Sequence, residues 1–206
     1  MGGGIIKELH LISSDQIDAT VFSKIVGEIH PYLTAVHLRK KQLGAQDIFI
    51  TASKLIAQNV PHQKIIINDR VDVAIAVEAK GVQLAYHSLE ANVVKSAFPK
   101  LKIGCSVHSA EEAKEMEKQG ADYVLYGHVF PTASKPGKEA RGLEALKEVV
   151  DSVQIPVIAI GGIKPENSAA VLKTGAAGIA VLSTILEAEN PLEMTKSYVR
   201  ALGGDV

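Results

Sequence analysis

The chain is predicted to fold as a (β/α)8 TIM barrel, one domain over residues 1–206. Three observations predict this. Short apolar runs rich in Val, Ile and Leu recur about eight times, which suits strands buried on both faces of a parallel sheet. Helix-like stretches alternate with them, and no linker or low-complexity segment breaks the order. The 206 residues, with 47% hydrophobic content, supply enough apolar surface for one sizeable core. An open doubly wound sheet is the alternative with the same alternation.

The expected strands, in order, are Glu8–Ser13, Leu33–Leu38, Lys64–Ile67, Gly81–Tyr86, Leu101–Cys105, Asp122–Tyr126, Pro156–Ile160 and Ala177–Leu182. Ser109 followed by Glu112 reads as a capping box that opens a helix ending near Gly120. Between Gly142 and Val153 the apolar residues Leu143, Leu146, Val149 and Val150 keep helical spacing. Pro165 suits the first turn of a helix that ends near Gly175. A barrel of this length is small, so its helices must be compact. Gly2-Gly3-Gly4 reads as a flexible leader within residues 1–6. Ile6 occupies the position where a myristoylation motif needs Ser or Thr.

Composition excludes several functions. With 22 Lys+Arg against 23 Asp+Glu, the net charge is −1, and nothing points to nucleic acid or an anionic membrane as partner. There is no apolar span of about 18 residues and no basic-then-apolar signal pattern at the start. A lone Cys105 excludes an internal disulfide and suits a reducing, cytoplasmic setting. Barrels often pair, so a homo-oligomer is compatible with the chain.

In either architecture the reactive side lies at the C-terminal strand ends, and the informative polar residues cluster there. His37, Arg39 and Lys41 alternate along the end of the second strand, so period two directs them to one face. They form either a solvated basic strand end or a cationic wall for a phosphorylated ligand. Asn68 and Asp69 follow the third strand, as a turn or as ligand contacts. Ser106 and His108 flank the end of the fifth strand. Gly161 and Gly162 end the seventh strand before a helix, and Leu182 and Ser183 end the eighth. Glycine admits close approach of backbone N–H groups to an anion, and loops after strands seven and eight commonly hold phosphate in barrels. His128 ends the sixth strand and leads into a loop carrying Thr132, Ser134 and Lys135. A histidine titrates near neutrality, so His128 is either a hydrogen-bonded structural residue or an acid/base.

Taken together, VHLRKK, NDRVDVA, GCSVHSAEEA, DYVLYGHVFPT, PVIAIGGI and GIAVLSTI resemble the thiamine phosphate synthase superfamily, and within it the thiazole tautomerase branch. The resemblance covers nearly the whole chain. Synthases in that superfamily use Mg²⁺ to join a pyrimidine diphosphate to a thiazole phosphate. Arg39 and Lys41 match their arginine and final lysine, whereas His37 replaces a glutamine. Asp69 matches one metal carboxylate, Asn68 the neighbouring amide, and Ser88 stands where a second aspartate is usual. His128 stands where synthases have proline, as in tautomerases, while Thr132, Ser134 and Lys135 are closer to the synthase pattern.

The tautomerase resemblance implies an isomerase of thiamine biosynthesis. It would move a proton in a phosphorylated, carboxylated dihydrothiazole and so aromatise the ring. His128 would be the acid/base, and Arg39, Lys41, Asn68, Ser106, Thr132, Ser134 and Lys135 would contact the substrate. Arg39 and Ser106 are the candidates for its carboxylate. Gly161, Gly162, Leu182 and Ser183 would hold the phosphate, and neither metal nor cofactor would be needed. The alternatives are thiamine phosphate synthase itself and a non-catalytic module that binds the thiazole phosphate.

Overall fold

The computed structural model describes residues 7–40, 42–132, 134 and 137–206. Its strands are β1 (Glu8–Ile12), β2 (Ala35–Leu38), β3 (Ile65–Asn68), β4 (Gly81–Leu84), β5 (Lys102–Val107), β6 (Tyr123–Gly127), β7 (Val157–Ile160) and β8 (Gly178–Val181). Each pairs in parallel with the next, and β8 returns to β1 with Glu8 opposite Gly178, so the sheet closes. The open-sheet alternative is thereby excluded. Each expected apolar run overlaps a strand; most strands are shorter than expected, whereas β5 runs on to Val107. The fourth run stops at Leu84, and Tyr86 is 97% exposed in the following turn. The leader expected at Gly2–Gly4 lies outside the described residues.

The helices are α1 (Ala19–Ile29), α2 (Ala45–Ala57), α3 (Val71–Ala76), α4 (Ala91–Ala97), α5 (Ala110–Lys118), α6 (Gly142–Ser152), α7 (Pro165–Lys173), α8 (Ser183–Leu186) and α9 (Pro191–Ala201). The small size of the barrel is met mainly by α3 and α4, of six and seven residues. Ser109 caps α5 as expected: its hydroxyl accepts from Glu112 N at 3.2 Å. The reciprocal bond differs from a capping box, because the Glu112 carboxylate accepts from His108 N instead of Ser109 N. None of the helices among the described residues is long and apolar enough to cross a membrane.

Two apolar regions follow from strand alternation. Outward-facing residues such as Leu9, Leu11, Val36, Leu38, Ile65 and Ile67 pack against the helices. Inward-facing Ile12, Ala35, Ile66, Tyr123, Leu125, Ile158 and Ala180 fill the barrel. Part of the interior is polar. Tyr123 donates its hydroxyl to Gln83 Oε1 at 2.7 Å, and Gln83 Nε2 donates to Ser106 Oγ at 3.1 Å. Gly104 makes room for this group, since a Cβ there would lie 2.1 Å from Tyr123 Cζ and 2.4 Å from Gln83 Oε1. Burial, aided by Asp122, pushes the Cys105 thiol up to about 12, so it stays an inert core group.

Candidate active site

Parallel strands all end at the same mouth, so the barrel collects there residues that are far apart in the chain. His128 follows β6 and is 5% exposed. Its Nε2–H donates to Lys138 O at 3.3 Å, and its Nδ1 is buried without a partner. The chain after it lies across the end of β7: Val129 N donates to Ile160 O at 2.9 Å and Phe130 N to Gly161 O at 3.0 Å. This crossing explains the glycine pair. Gly161 has φ +105°, and a Cβ there would fall 2.3 Å from His128 Cβ; Gly162 has φ +64°, and its Cβ would fall 2.4 Å from Pro131 O. The glycines therefore let the His128 loop pack directly against the loop after β7. Beyond β8, Leu182 precedes the short helix α8, whose first residue is Ser183. A short extra helix after strand eight is a recurrent part of barrel phosphate sites.

Across the mouth, Asp69 has φ +62° and is held in place by its backbone N–H, which donates to Gln83 O at 3.0 Å. Its carboxylate accepts from His87 Nε2 at 2.9 Å and from the Ser88 hydroxyl. Asn68 ends β3 with a buried Oδ1 that has no partner. Arg39 follows β2. Its backbone N accepts no role in the ladder but donates to Ser13 Oγ at 2.8 Å, and its guanidinium has no ion-pair partner among the described residues.

The expected site residues separate. His128, Asn68, Arg39, Gly161, Gly162, Leu182 and Ser183 come together around the mouth. Ser106 reaches the interior through its bond with Gln83. Thr132 and Ser134 sit in a solvent-facing turn, where Ser134 N donates to Thr132 Oγ1 at 3.3 Å. Lys41 and Lys135 lie outside the described residues. The cationic wall is corrected at His37. It is fully buried inside the barrel, paired with His10 at 3.0 Å, and burial pushes its pKa well below the usual imidazole range. Alternation indicates a shared face but not its depth, and this face turns into the barrel.

Sequence reading missed Glu8, His10, Gln83 and Tyr123, which read as parts of ordinary strands. The polar letters within the ELH and GVQL runs were the available signal, since a strand buried on both faces seldom carries them. Among the described residues, four buried side-chain polar atoms lack a partner, and three of them, His37 Nδ1, Asn68 Oδ1 and His128 Nδ1, belong to strand ends at this mouth. Buried polar atoms are normally satisfied by protein, water or a ligand. An open groove also lies on the barrel flank between α3 and α4, lined by Ile75, Glu78, Phe98, Lys100 and Leu101. The mouth, where three unpartnered polar atoms gather, is the candidate site.

A family model described as "Thiamine monophosphate synthase" matches residues 9–185. The chain belongs to this family. It is 44% identical over 164 residues to a thiamine-phosphate synthase of Pyrococcus furiosus, covering 79% of each chain. It is 41% identical over 162 residues to that of Clostridium tetani, covering 76% of each. A solved structure titled as thiamine phosphate pyrophosphorylase from Pyrococcus furiosus superposes with a TM-score of 0.82 at 36% identity, covering 97% of this chain and 96% of that one. A 3-hexulose-6-phosphate synthase shares the fold at 19% identity and a TM-score of 0.73.

These relatives correct the expected isomerase. That expectation rested on His128 in place of proline and on Ser88 in place of a second aspartate. The relatives are synthases, and the physical weight placed on Ser88 was too great. Mg²⁺ usually keeps several waters and needs only one or two carboxylates beside substrate phosphates, and Asp69 remains. The acid/base role of His128 belonged to the proton shift and goes with it.

Proposed function

We propose that this chain is a thiamine-phosphate synthase, an enzyme that joins hydroxymethylpyrimidine diphosphate to a thiazole phosphate. In this reaction the bond from the pyrimidine methylene to the diphosphate oxygen breaks, and the oxygen leaves with the electron pair. The thiazole nitrogen supplies the pair for the new carbon–nitrogen bond. The observation that carries the reading is the 44% identity to a thiamine-phosphate synthase over 164 residues, a span that includes most of the barrel.

The residues at the mouth suit this chemistry. Both substrates are anionic, and the Arg39 guanidinium carries fixed positive charge there. The backbone of the loops at Gly161, Gly162, Leu182 and Ser183 is in the place where barrels hold a phosphate. Among the described residues no three His, Cys, Asp or Glu side chains converge to hold a metal on protein ligands alone. Asp69 and the unpartnered Asn68 Oδ1 are hard oxygen donors of the kind Mg²⁺ takes. Asp69 would hold the ion together with the substrate diphosphate, where it would neutralise the charge of the leaving group. The expectation of a metal-free reaction is revised accordingly. His128, with Nδ1 unpartnered, and Asn68 are proposed as substrate contacts. Thr132, Ser134 and Lys135 belong to a loop proposed to lie over the bound phosphates. One domain working in the cytoplasm fits the lone, buried Cys105.

The test is direct. Purified protein is mixed with both substrates and Mg²⁺, and thiamine phosphate and released diphosphate are quantified together. Equal amounts of the two products support the reading. No thiamine phosphate under conditions in which a relative is active removes it.

A further inference from the structure

Three titratable residues line up inside the barrel. Glu8 Oε2 lies 2.9 Å from His10 Nε2, and His10 Nδ1 lies 3.0 Å from His37 Nε2. In the strand register His10 faces Ala35 and Ile12 faces His37, so the chain of contacts climbs from the start of β1 toward the end of β2. The two imidazoles are 2% and 0% exposed, and the edge of the Tyr123 ring packs against His10.

Hydrogen-bond logic places each proton. The bond from His10 holds the Glu8 carboxyl below the usual carboxylate range, with Lys102 and Lys80 adding to it. Glu8 is therefore ionised and only accepts, so His10 Nε2 carries a hydrogen. Burial lowers the His10 pKa; the ring is neutral and its Nδ1 is bare. That bare nitrogen accepts from His37 Nε2–H. Burial holds His37 well below the usual range, helped by the positive charge of Lys80, so this ring is also neutral. Its Nδ1 is then a bare lone pair, buried and without a protein partner. Leaving such an acceptor unsatisfied is unfavourable.

We propose that Glu8, His10 and His37 form a relay that locks His37 as its Nε2–H tautomer, so that Nδ1 accepts a hydrogen bond from an N–H or O–H group of the bound ligand. Glu8 and His10 are positioning residues, and His37 alone touches the ligand. Asn68 Oδ1, at the end of β3, is a second buried acceptor without a protein partner.

The experiment records ring ¹⁵N spectra of the full chain with labelled histidine. At pH 7, His10 and His37 are expected to be protonated at Nε2 only. A His37 ring protonated at Nδ1 overturns the relay. Glu8→Gln retains an accepting oxygen and is expected to keep the tautomer; folded Glu8→Leu is expected to give a mixture of tautomers. An unchanged spectrum in Glu8→Leu overturns the positioning role, and should that variant not fold, the wild-type spectrum decides. Thiamine phosphate, whose aminopyrimidine carries N–H donors, is then titrated in; this arm rests on the synthase reading. The His37 Nδ1 signal is expected to move together with the amides of Gly161 and Gly162. If the glycine amides move while Nδ1 does not, the lone pair serves a buried water and the ligand role is overturned. If neither moves, the synthase reading fails, and the tautomer result still decides the relay. His37→Phe, which keeps the bulk and removes the lone pair, is expected to weaken thiamine phosphate binding roughly tenfold.

Discussion

The barrel interior and its rim use the same residue types to opposite ends. Inside, Glu8, His10 and His37 form one fixed chain, and Tyr123, Gln83 and Ser106 form another. At the rim, the Asp69 carboxylate with His87 and Ser88 makes a similar acid–imidazole–hydroxyl group, but its side chains are a third to half exposed. The first region is almost fully buried, so its polar groups depend on one another, and a wrong partner leaves a desolvated charge or lone pair. Water competes in the second, so the pairings are weak and can exchange for a substrate or an ion. Depth, more than residue identity, decides how firmly a polar group is held by its protein partners.

The largest expected effect comes from breaking the interior. Gly104→Ala puts a methyl onto the Tyr123 ring and is expected to destabilise the fold by about 3 kcal/mol, read as a lower urea midpoint. Asp69→Asn should do the reverse at the rim. Thiamine phosphate formation is expected to fall roughly a hundredfold with the urea midpoint nearly unmoved, because the side chain is partly solvated. Equal losses of stability from both variants would erase the contrast between the regions.

The interior also sets a pH dependence. Burial holds the folded pKa values of His10 and His37 below the usual imidazole value of about 6.5. As pH falls through about 6.5 the unfolded chain binds protons that the folded chain refuses, so stability drops with falling pH. Each histidine contributes a slope of up to about 1.4 kcal/mol per pH unit. Glu8, with its folded pKa lowered, acts in the same sense further down: its contribution is present above about 4.5 and is lost as pH falls through the lower folded value. Urea titrations between pH 8 and 5 are expected to show the slope, and His37→Phe to reduce it. A flat profile would mean that the interior histidines are solvated. The smallest effect belongs to the rim side of β5. Ser109→Ala removes the α5 cap and is expected to cost about 1 kcal/mol with activity unchanged.

Much of the site was legible in the sequence, and the reasons for the remainder are physical. His128, Asn68, Gly161, Gly162, Leu182 and Ser183 could be placed at the mouth because strand counting sends every strand end there. Ser109 was read as a cap because its partner is local. His37 was misplaced because period two reports the face of a strand and not whether that face ends in solvent or in the barrel. The role given to Ser88 failed for a different reason: loss of one oxygen ligand was taken to exclude a cation that fills its shell with water and substrate. The crossing of the His128 loop over Gly161 and Gly162 has no local signature, since it depends on the end of β7 lying beneath β6.

By itself the sequence determined the alternation of strands and helices, and with it a parallel sheet; the pairing of β8 with β1, which closes the barrel, came from the tertiary structure. The alternation follows from periodicity and turn chemistry, which act between near neighbours. Only the tertiary structure decided which polar residues meet. The contacts of His10 with His37, of Gln83 with Tyr123 and Ser106, and of Asp69 with His87 and Ser88 all require strands distant in the chain to lie side by side. Proton positions and orphaned lone pairs depend on those distances, because hydrogen bonds are made only within about 3 Å.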